Sequence, residues 1–297
     1  MKPPVFEFAA PDSLEHCLDL LERYGDEAKP IAGGQSLMPL LNLRMAAPAV
    51  VIDIARVPDF HALRIEDRTV RVGPMVRQRV METNTDLRAR VPLLAEAVGL
   101  IGHVATRSRG TIVGSMCHAD PAAELPVCAT LLGAEFAVAS KGGTRTIDAD
   151  SFFLDALMTT LEPEEIVTGV HLPTAMPGVG YAFDEVSRRR GDFALVAVAA
   201  AVGLSDDGLV TSADIAIGGA SGRPERFPLT ETALSGRRIE EAPLREIARE
   251  VCDRLEPESD LHASADYRRR ISEELMTRVL ADAASRARKD LTREHAL

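Results

Sequence analysis

Two short glycine-bearing stretches constrain this chain more than any other feature: Ala32-Gly33-Gly34-Gln35-Ser36-Leu37 and Gly110-Thr111-Ile112-Val113-Gly114-Ser115. Glycine lets another backbone or a ligand approach closely and tolerates positive φ. Stretches of this kind can aim several N–H groups at one anion, such as a diphosphate. The hydroxyls of Ser36, Thr111 and Ser115 would add donors. Neither stretch matches G-x-G-x-x-G or G-x-x-x-x-G-K-[ST], so a Rossmann or P-loop site is not supported. Taken singly, a Gly-Gly between strand and helix is ordinarily a tight turn, and the residues alone leave turn and phosphate loop both open.

The surrounding pattern is mixed α and β. Ser13 to Tyr24 reads as a helix, with Ser13 as N-cap, Leu14, Leu18 and Leu21 on one face and Gly25 as the stop. Pro30 to Ala32 reads as a short strand and Ser36 as the start of a short helix. Strands are expected at Ala49–Ile54 and Thr69–Val72, and a helix at Pro92–Ile101. Asp120-Pro121 suits a helix start, with the helix running to Leu132 and stopping at Gly133. Strands follow at Glu135–Ser140 and Ile166–Leu172. Pro173, Pro177 and Gly178 then break the pattern, and the domain boundary is placed there. Beyond it, Gly180–Arg188, Ala194–Leu204 and Leu209–Ile217 read as a three-stranded antiparallel sheet. Asp206-Asp207-Gly208 is the turn of its second hairpin. Helices at Leu244–Leu255 and Ala265–Arg286 would back that sheet, the last as a surface helix.

Composition narrows the classes. A chain of 297 residues holds one large or two ordinary domains, and 46% hydrophobic residues supply a core. Only 4% are aromatic and none is Trp, so Ala, Val and Leu must fill the interior. A net charge of −11 argues against general nucleic-acid binding, since Arg188-Arg189-Arg190 is only a local basic cluster. That cluster reads better as a cofactor edge or a subunit contact. No apolar run is long enough to span a membrane and the N-terminus has no signal core, so direct membrane insertion is not expected and the location expected is cytoplasmic. Cys17, Cys117, Cys128 and Cys252 form no C-x-x-C pair, which argues against an iron–sulfur cluster or zinc ribbon on this chain. Cys117-His118 and His103 resemble no metal-ligand pattern, and no G-x-S-x-G elbow is present; no catalytic residue and no metal ligand is expected.

Three blocks together carry a resemblance. Ala32 to Leu40, then Arg109 to Ser115 with His118-Ala119-Asp120-Pro121-Ala122-Ala123-Glu124-Leu125-Pro126, then Phe183 to Val196 resemble, in order and spacing, the FAD-binding medium subunits of molybdenum hydroxylases. This is the carbon monoxide dehydrogenase and xanthine dehydrogenase family, and the resemblance covers essentially the whole chain. It implies an α+β fold: a two-part FAD-binding domain of the vanillyl-alcohol-oxidase/PCMH type over 1–175, with subdomains of about 1–57 and 58–175. A small α+β domain over 179–290, with the three-stranded antiparallel sheet and helices, would follow.

By that resemblance, Ala32, Gly33, Gly34, Gln35, Ser36 and Leu37 would wrap the diphosphate of FAD, and Gly110, Thr111, Gly114 and Ser115 would complete the cradle. Asp120 would meet cofactor hydroxyls, cap the following helix, or do both. Phe193 would lie near the flavin ring or pack as ordinary strand core. Val113 departs from the glycine usual there. A β-branched residue at positive φ would be strained, so an ordinary φ is expected, or a slightly shifted diphosphate. Thr106 and Ser108 are smaller departures from the Ile and Asn more frequent in relatives. The resemblance also implies two partners, a small subunit with two [2Fe–2S] clusters and a large molybdopterin subunit, as a dimer of heterotrimers. The chain would accept electrons from the clusters and pass them to an external acceptor. The alternatives are a stand-alone PCMH-type flavin oxidoreductase and a flavin-less interaction subunit, the latter supported only by Val113.

Overall fold

The computed structural model describes residues 2–229 and 234–294. The first unit is a small parallel sheet. Strand β1 (Glu7–Ala9) and strand β2 (Ala28–Ile31) flank β3 (Val50–Asp53), both parallel to it. Helix α1 (Leu14–Tyr24) covers this sheet, with Cys17, Leu18 and Leu21 buried. The Ser13 hydroxyl accepts the His16 N–H at 3.1 Å and Gly25 turns the chain out at φ 49°, as the capping residues predict. Helix α2 (Leu37–Asn42) follows the first glycine stretch.

The second unit is a five-stranded antiparallel sheet, ordered β4 (Leu63–Ile65), β5 (Thr69–Val72), β10 (Ile166–Pro173), β6 (Glu135–Ser140), β7 (Gly143–Asp148). Six helices lie between β5 and β6: α3 (Gln78–Thr83), α4 (Thr85–Arg90), α5 (Pro92–Val98), α6 (Val104–Arg109), α7 (Ile112–His118) and α8 (Glu124–Leu132). Helix α9 (Ala149–Phe152) and the hairpin β8 (Phe153–Asp155) and β9 (Met158–Thr159) close the unit. Phe136 stacks on Phe152 with centroids 3.7 Å apart, and Phe153 meets both edge-on. In a chain so poor in aromatics this trio supplies the bulk at the sheet's end.

The third unit differs from its expectation. The antiparallel sheet has four strands: β11 (Val179–Ser187), β12 (Ala194–Leu204), β13 (Val210–Gly218) and β14 (Glu225–Pro228). The short fourth strand, Glu-Arg-Phe-Pro, shows no alternation a sequence reading could use. Helix α11 (Ala265–Glu294) is also no mere surface helix. Leu275, Met276, Val279, Leu280, Ala283, Ala284 and Ala287 are buried in one core with β12, β13 and α10 (Leu244–Cys252). The opposite face of the sheet packs on α5 and α8, so the sheet is sandwiched, not backed on one side.

The composition of β12 explains the sandwich. Val196, Val198, Ala200 and Val202 point to the core shared with α11, while Ala197 and Ala199 point to the core shared with α8. Side chains alternate faces along a strand, so the run shows a larger face and a small one. Close approach recurs elsewhere: a Cβ on Gly218 would fall 2.4 Å from Val127, and one on Gly180 would fall 1.9 Å from the Ala283 carbonyl. Across the seam between the second and third units, Arg286 donates to both oxygens of Glu96 and to the Tyr181 carbonyl (2.7 Å), and Glu96 also accepts the Phe183 N–H at 3.2 Å.

Helix α8 begins at Glu124, not at Asp120-Pro121 as the sequence suggests. Asp120 and Pro121 form a turn, in which an Asp120 carboxylate oxygen takes the Ala122 N–H at 2.9 Å and the Asp120 carbonyl takes that of Ala123. The Pro121 carbonyl accepts the Gly219 N–H at 2.8 Å, which ties this turn to the third unit. Glu124 is consequently carried into the core, 6% exposed. Burial, then the neighbouring charges of Glu185 and Asp120, push its carboxyl up to about 8.

Two outcomes are expected. Gly180→Ala should destabilise the chain by about 1–3 kcal/mol, because the helix backbone opposite cannot yield as a flexible side chain would; urea unfolding checks this. Glu124 holds its proton more tightly folded than unfolded. Its contribution is therefore fully present below pH ~4.3 and lost as pH rises through about 8. Glu124→Gln should then nearly match the unaltered chain at pH ~4 and exceed it at pH 8.5 by at least ~1 kcal/mol, read as a pH-dependent gap between two thermal melts.

Candidate functional site

The two glycine stretches meet. A Cβ on Gly33 would lie 2.4 Å from the Arg109 carbonyl and 2.8 Å from the Gly110 Cα. A Cβ on Gly114 would lie 3.7 Å from the Ala32 side chain. Gly34 takes φ +69° at the turn into α2, flanked by Ile31 and Met38. The second stretch is locked from behind: the Gln78 N–H donates to the Gly110 carbonyl at 2.9 Å and the Ile112 N–H to the Val76 carbonyl at 3.0 Å. The Gln78 side chain is buried beneath Gly110, and its Oε1 has no partner.

Only Gly110 and Thr111 of the second stretch are loop. From Ile112 the chain is helical, so Val113 has an ordinary φ and is buried in the core, and its substitution for glycine introduces no strain. The same helical start takes up one expected donor, the Gly114 N–H. The Thr111 hydroxyl accepts the Gly114 N–H at 3.0 Å as an N-cap, and a Cβ on Gly114 would collide with that hydroxyl. Gly114 is thus needed for the cap itself.

The remaining N–H groups define what the site can hold. Those of Gly33, Gly34, Gln35, Ser36 and Leu37 meet no acceptor among the described residues, nor do those of Thr111 and Val113. The Ser36 hydroxyl makes no capping bond, and Gln35 turns its amide back onto the Gly33 carbonyl at 3.2 Å. N–H groups without partners around glycine-lined backbone fit an anionic, multi-oxygen ligand such as a diphosphate.

Asp120 and Phe193 stand apart from this contact and are joined to it through the fold. Ala119 ends α7 in the left-handed conformation at φ 52°, a strained setting for alanine, and so turns the chain into Asp120. One Asp120 oxygen serves the turn, and the other has no partner among the described residues. Phe193 precedes β12 and is 65% exposed, which overturns the strand-core alternative for it. Its loop is fastened twice. A Cβ on Gly191 would fall 2.7 Å from the Gly102 carbonyl, ahead of α6, and that carbonyl also accepts from Arg107 at 3.2 Å. On the other side buried Arg268 donates to the carbonyls of Leu195 and Gly219, while the Gly219 N–H donates to Pro121. Arg188 and Arg189 pair with Asp192 in the same loop.

Several of these residues give no signal in the sequence. Arg107 and Arg268 are ordinary arginines of charged helical stretches, Arg268 the first of three in a row, and Gln78 is one polar residue at a helix start. Their roles come from burial and from carbonyls distant in sequence. Among the described residues no group of three or more His, Cys, Asp or Glu is arranged to hold a metal ion. Cys17, Cys128 and Cys252 are buried and Cys117 is half-buried, all as free thiols.

Comparison with known proteins agrees with this geometry. The family described as FAD binding domain in molybdopterin dehydrogenase matches residues 4–175, and the CO dehydrogenase flavoprotein C-terminal domain matches residues 181–283. The chain is 38% identical to the 6-hydroxypseudooxynicotine dehydrogenase complex subunit alpha of Paenarthrobacter nicotinovorans, covering 97% of each. It is 34% identical to the carbon monoxide dehydrogenase medium chain of Hydrogenophaga pseudoflava, covering 96% of this chain and 99% of that one. Among solved structures, a carbon monoxide dehydrogenase from Hydrogenophaga pseudoflava superposes with a TM-score of 0.92 at 35% identity, covering 96% of this chain and 99% of that one. Quinoline 2-oxidoreductase from Pseudomonas putida 86 gives 0.91 at 34% identity, covering 97% and 99%. With both domain families matched and the fold shared along its length, the chain belongs to the FAD-binding medium subunits of the carbon monoxide dehydrogenase/xanthine dehydrogenase family, oxidoreductase subunits that work within a complex.

Proposed function

We propose that this chain is the electron-transferring subunit of a three-subunit molybdenum hydroxylase. It receives electrons from the [2Fe–2S] clusters of a small partner subunit, which are supplied by substrate oxidation on a large molybdopterin subunit. It hands them to an external acceptor such as NAD⁺, a quinone or oxygen. Bound FAD supplies the redox chemistry that links one-electron and two-electron carriers. The chain's own residues bind and orient. Gly33 to Leu37, with Thr111 and Val113, offer N–H groups to the diphosphate, and Ala32, Gly110, Gly114 and Ser115 shape the space around it. The free carboxylate oxygen of Asp120 accepts cofactor hydroxyls, and exposed Phe193 lies along the flavin ring. The assembly proposed is a dimer of heterotrimers in the cytoplasm; no helix among the described residues is long and apolar enough to cross a membrane.

The observation that carries this reading is the run of unpartnered N–H groups on glycine-lined backbone at the Gly33–Gly110 contact. Val113 no longer favours a flavin-less subunit, because its helical conformation is unstrained.

The full chain, produced with its partners, should purify with one flavin per chain and the absorbance of a flavoprotein. Gly33→Ala should lower flavin occupancy by about tenfold or more while the flavin-free chain keeps its helical circular dichroism, since the added Cβ must push the Arg109 carbonyl away. Full occupancy in Gly33→Ala, or a colourless chain that does not take up added FAD, would sink the assignment.

A further inference from the structure

Four arginines surround the second glycine stretch, and their charges are not treated alike. Arg79 and Arg107 share the carboxylate of Glu82, at 2.7 and 2.9 Å. Arg77 and Arg109 make no ion pair among the described residues. Arg109 is exposed, where an unpaired arginine is unremarkable, but Arg77 is half-buried. Its backbone bridges to Thr111 and its guanidinium donates to the Arg109 carbonyl. That same carbonyl is the atom 2.4 Å from the Cβ position of Gly33. The Arg77 guanidinium therefore sits on the seam where the two glycine stretches touch.

Among the described residues no carboxylate forms an ion pair with it there. Burial, then the like charge of Arg109, weaken its hold on its proton; Asp53 opposes them only through space. One Asp53 oxygen is already committed to the Ala55 N–H at 3.0 Å. A guanidinium partly withdrawn from water beside a second cation is unfavourable unless an anion joins it. The planar fork of arginine matches two oxygens of a phosphate.

We propose that Arg77 is the residue that reads the diphosphate charge of the cofactor, joining the two glycine stretches through one ligand, with Arg109 as a weaker outer cation. This rests on the FAD reading above and adds to it a charge-selective residue, where that reading relied on backbone N–H groups alone. Selectivity follows: the contact favours flavins bearing phosphates over riboflavin, and its strength falls with salt.

The test uses the full chain, stripped of flavin and titrated with FAD and with riboflavin at low and high salt, read by flavin fluorescence. Arg77→Gln should weaken FAD binding by about tenfold or more and flatten its salt dependence, with riboflavin binding unchanged. Arg109→Gln should show a smaller loss in the same direction, and Arg270→Gln on α11 no change. Equal FAD affinity and salt slope in Arg77→Gln, or equal loss of FAD and riboflavin, overturns the proposal. If thermal melting shows Arg77→Gln unfolded, Arg77→Lys decides: it keeps the charge without the fork and should lose FAD affinity several-fold, and an unchanged affinity overturns the proposal. An unaltered chain that takes up no FAD overturns the FAD reading itself, a result separate from unaltered FAD binding in the variants.

Discussion

The contact on which the site depends is backbone against backbone: Gly33 lying on the Arg109 carbonyl and the Gly110 Cα. It brings a strand-to-helix turn of the parallel sheet onto a helix-to-helix turn of the five-stranded unit. Neither turn alone gathers enough donors for a diphosphate. Together they present seven N–H groups that the chain leaves unpaired. Most of them lie on half-exposed backbone open to an acceptor from outside the chain, so a ligand can take bonds at this seam that the chain leaves unmade. The supports behind it are correspondingly firm. Gly110 and Ile112 are tied to the Val76–Gln78 segment, and Gly114 closes the N-cap of α7.

The third unit is coupled to that seam by two short routes. One runs from the turn before α6, at Gly102, to Gly191, where a side chain on Gly191 would break the approach. The other runs from Pro121 through Gly219 to Arg268 and Leu195. Both end within two residues of Phe193. An exposed aromatic on a loop would ordinarily be mobile; here Gly191 on one side packs closely on the Gly102 carbonyl and Leu195 on the other is held by a buried arginine. Arg268 is in turn held by Asp260, whose carboxyl is kept down at about 2, chiefly by the Ala263 N–H. The four-stranded sheet thus serves as a platform that presents one ring, with its own stability drawn from α11 on one face and α8 on the other.

Much of this was legible in the residues. The capping residues of α1, the strand-like run of β12 and the Asp-Asp-Gly turn fixed those elements, because local chemistry decided them. The pairing of the two glycine stretches was legible only through the resemblance, since nothing in the composition of Gly33 indicates what its missing side chain makes room for. The start of α8 was misread because Asp-Pro is a good helix opening in isolation; here Asp120 and Pro121 form a turn, tied by a hydrogen bond from Gly219 to Pro121, and the helix starts at Glu124. The role of α11 was misread because its apolar stripe is set among many charges and turns to alanines toward its end, where close packing against Gly180 makes small side chains sufficient. Arg77, Arg107 and Arg268 were invisible because an arginine's role depends on which carbonyl or carboxylate the fold brings to it.

Charge placement makes a final point about a chain of net charge −11. An anionic cofactor approaching such a surface is repelled on average, so the site must be arranged against the chain's own bias. Around the second glycine stretch four arginines face one paired glutamate, Glu82, leaving a local positive excess. Beyond Asp120, Glu124 is buried and Glu185 half-buried, with their carboxyls pushed up to about 8 and about 7. A carboxyl held neutral adds no repulsion toward a phosphate, whereas the same group ionised in a low-dielectric core would act over a long range. Burying Glu124 therefore has a consequence beyond packing: the glutamate nearest Asp120 in sequence is kept from carrying a negative charge near neutral pH.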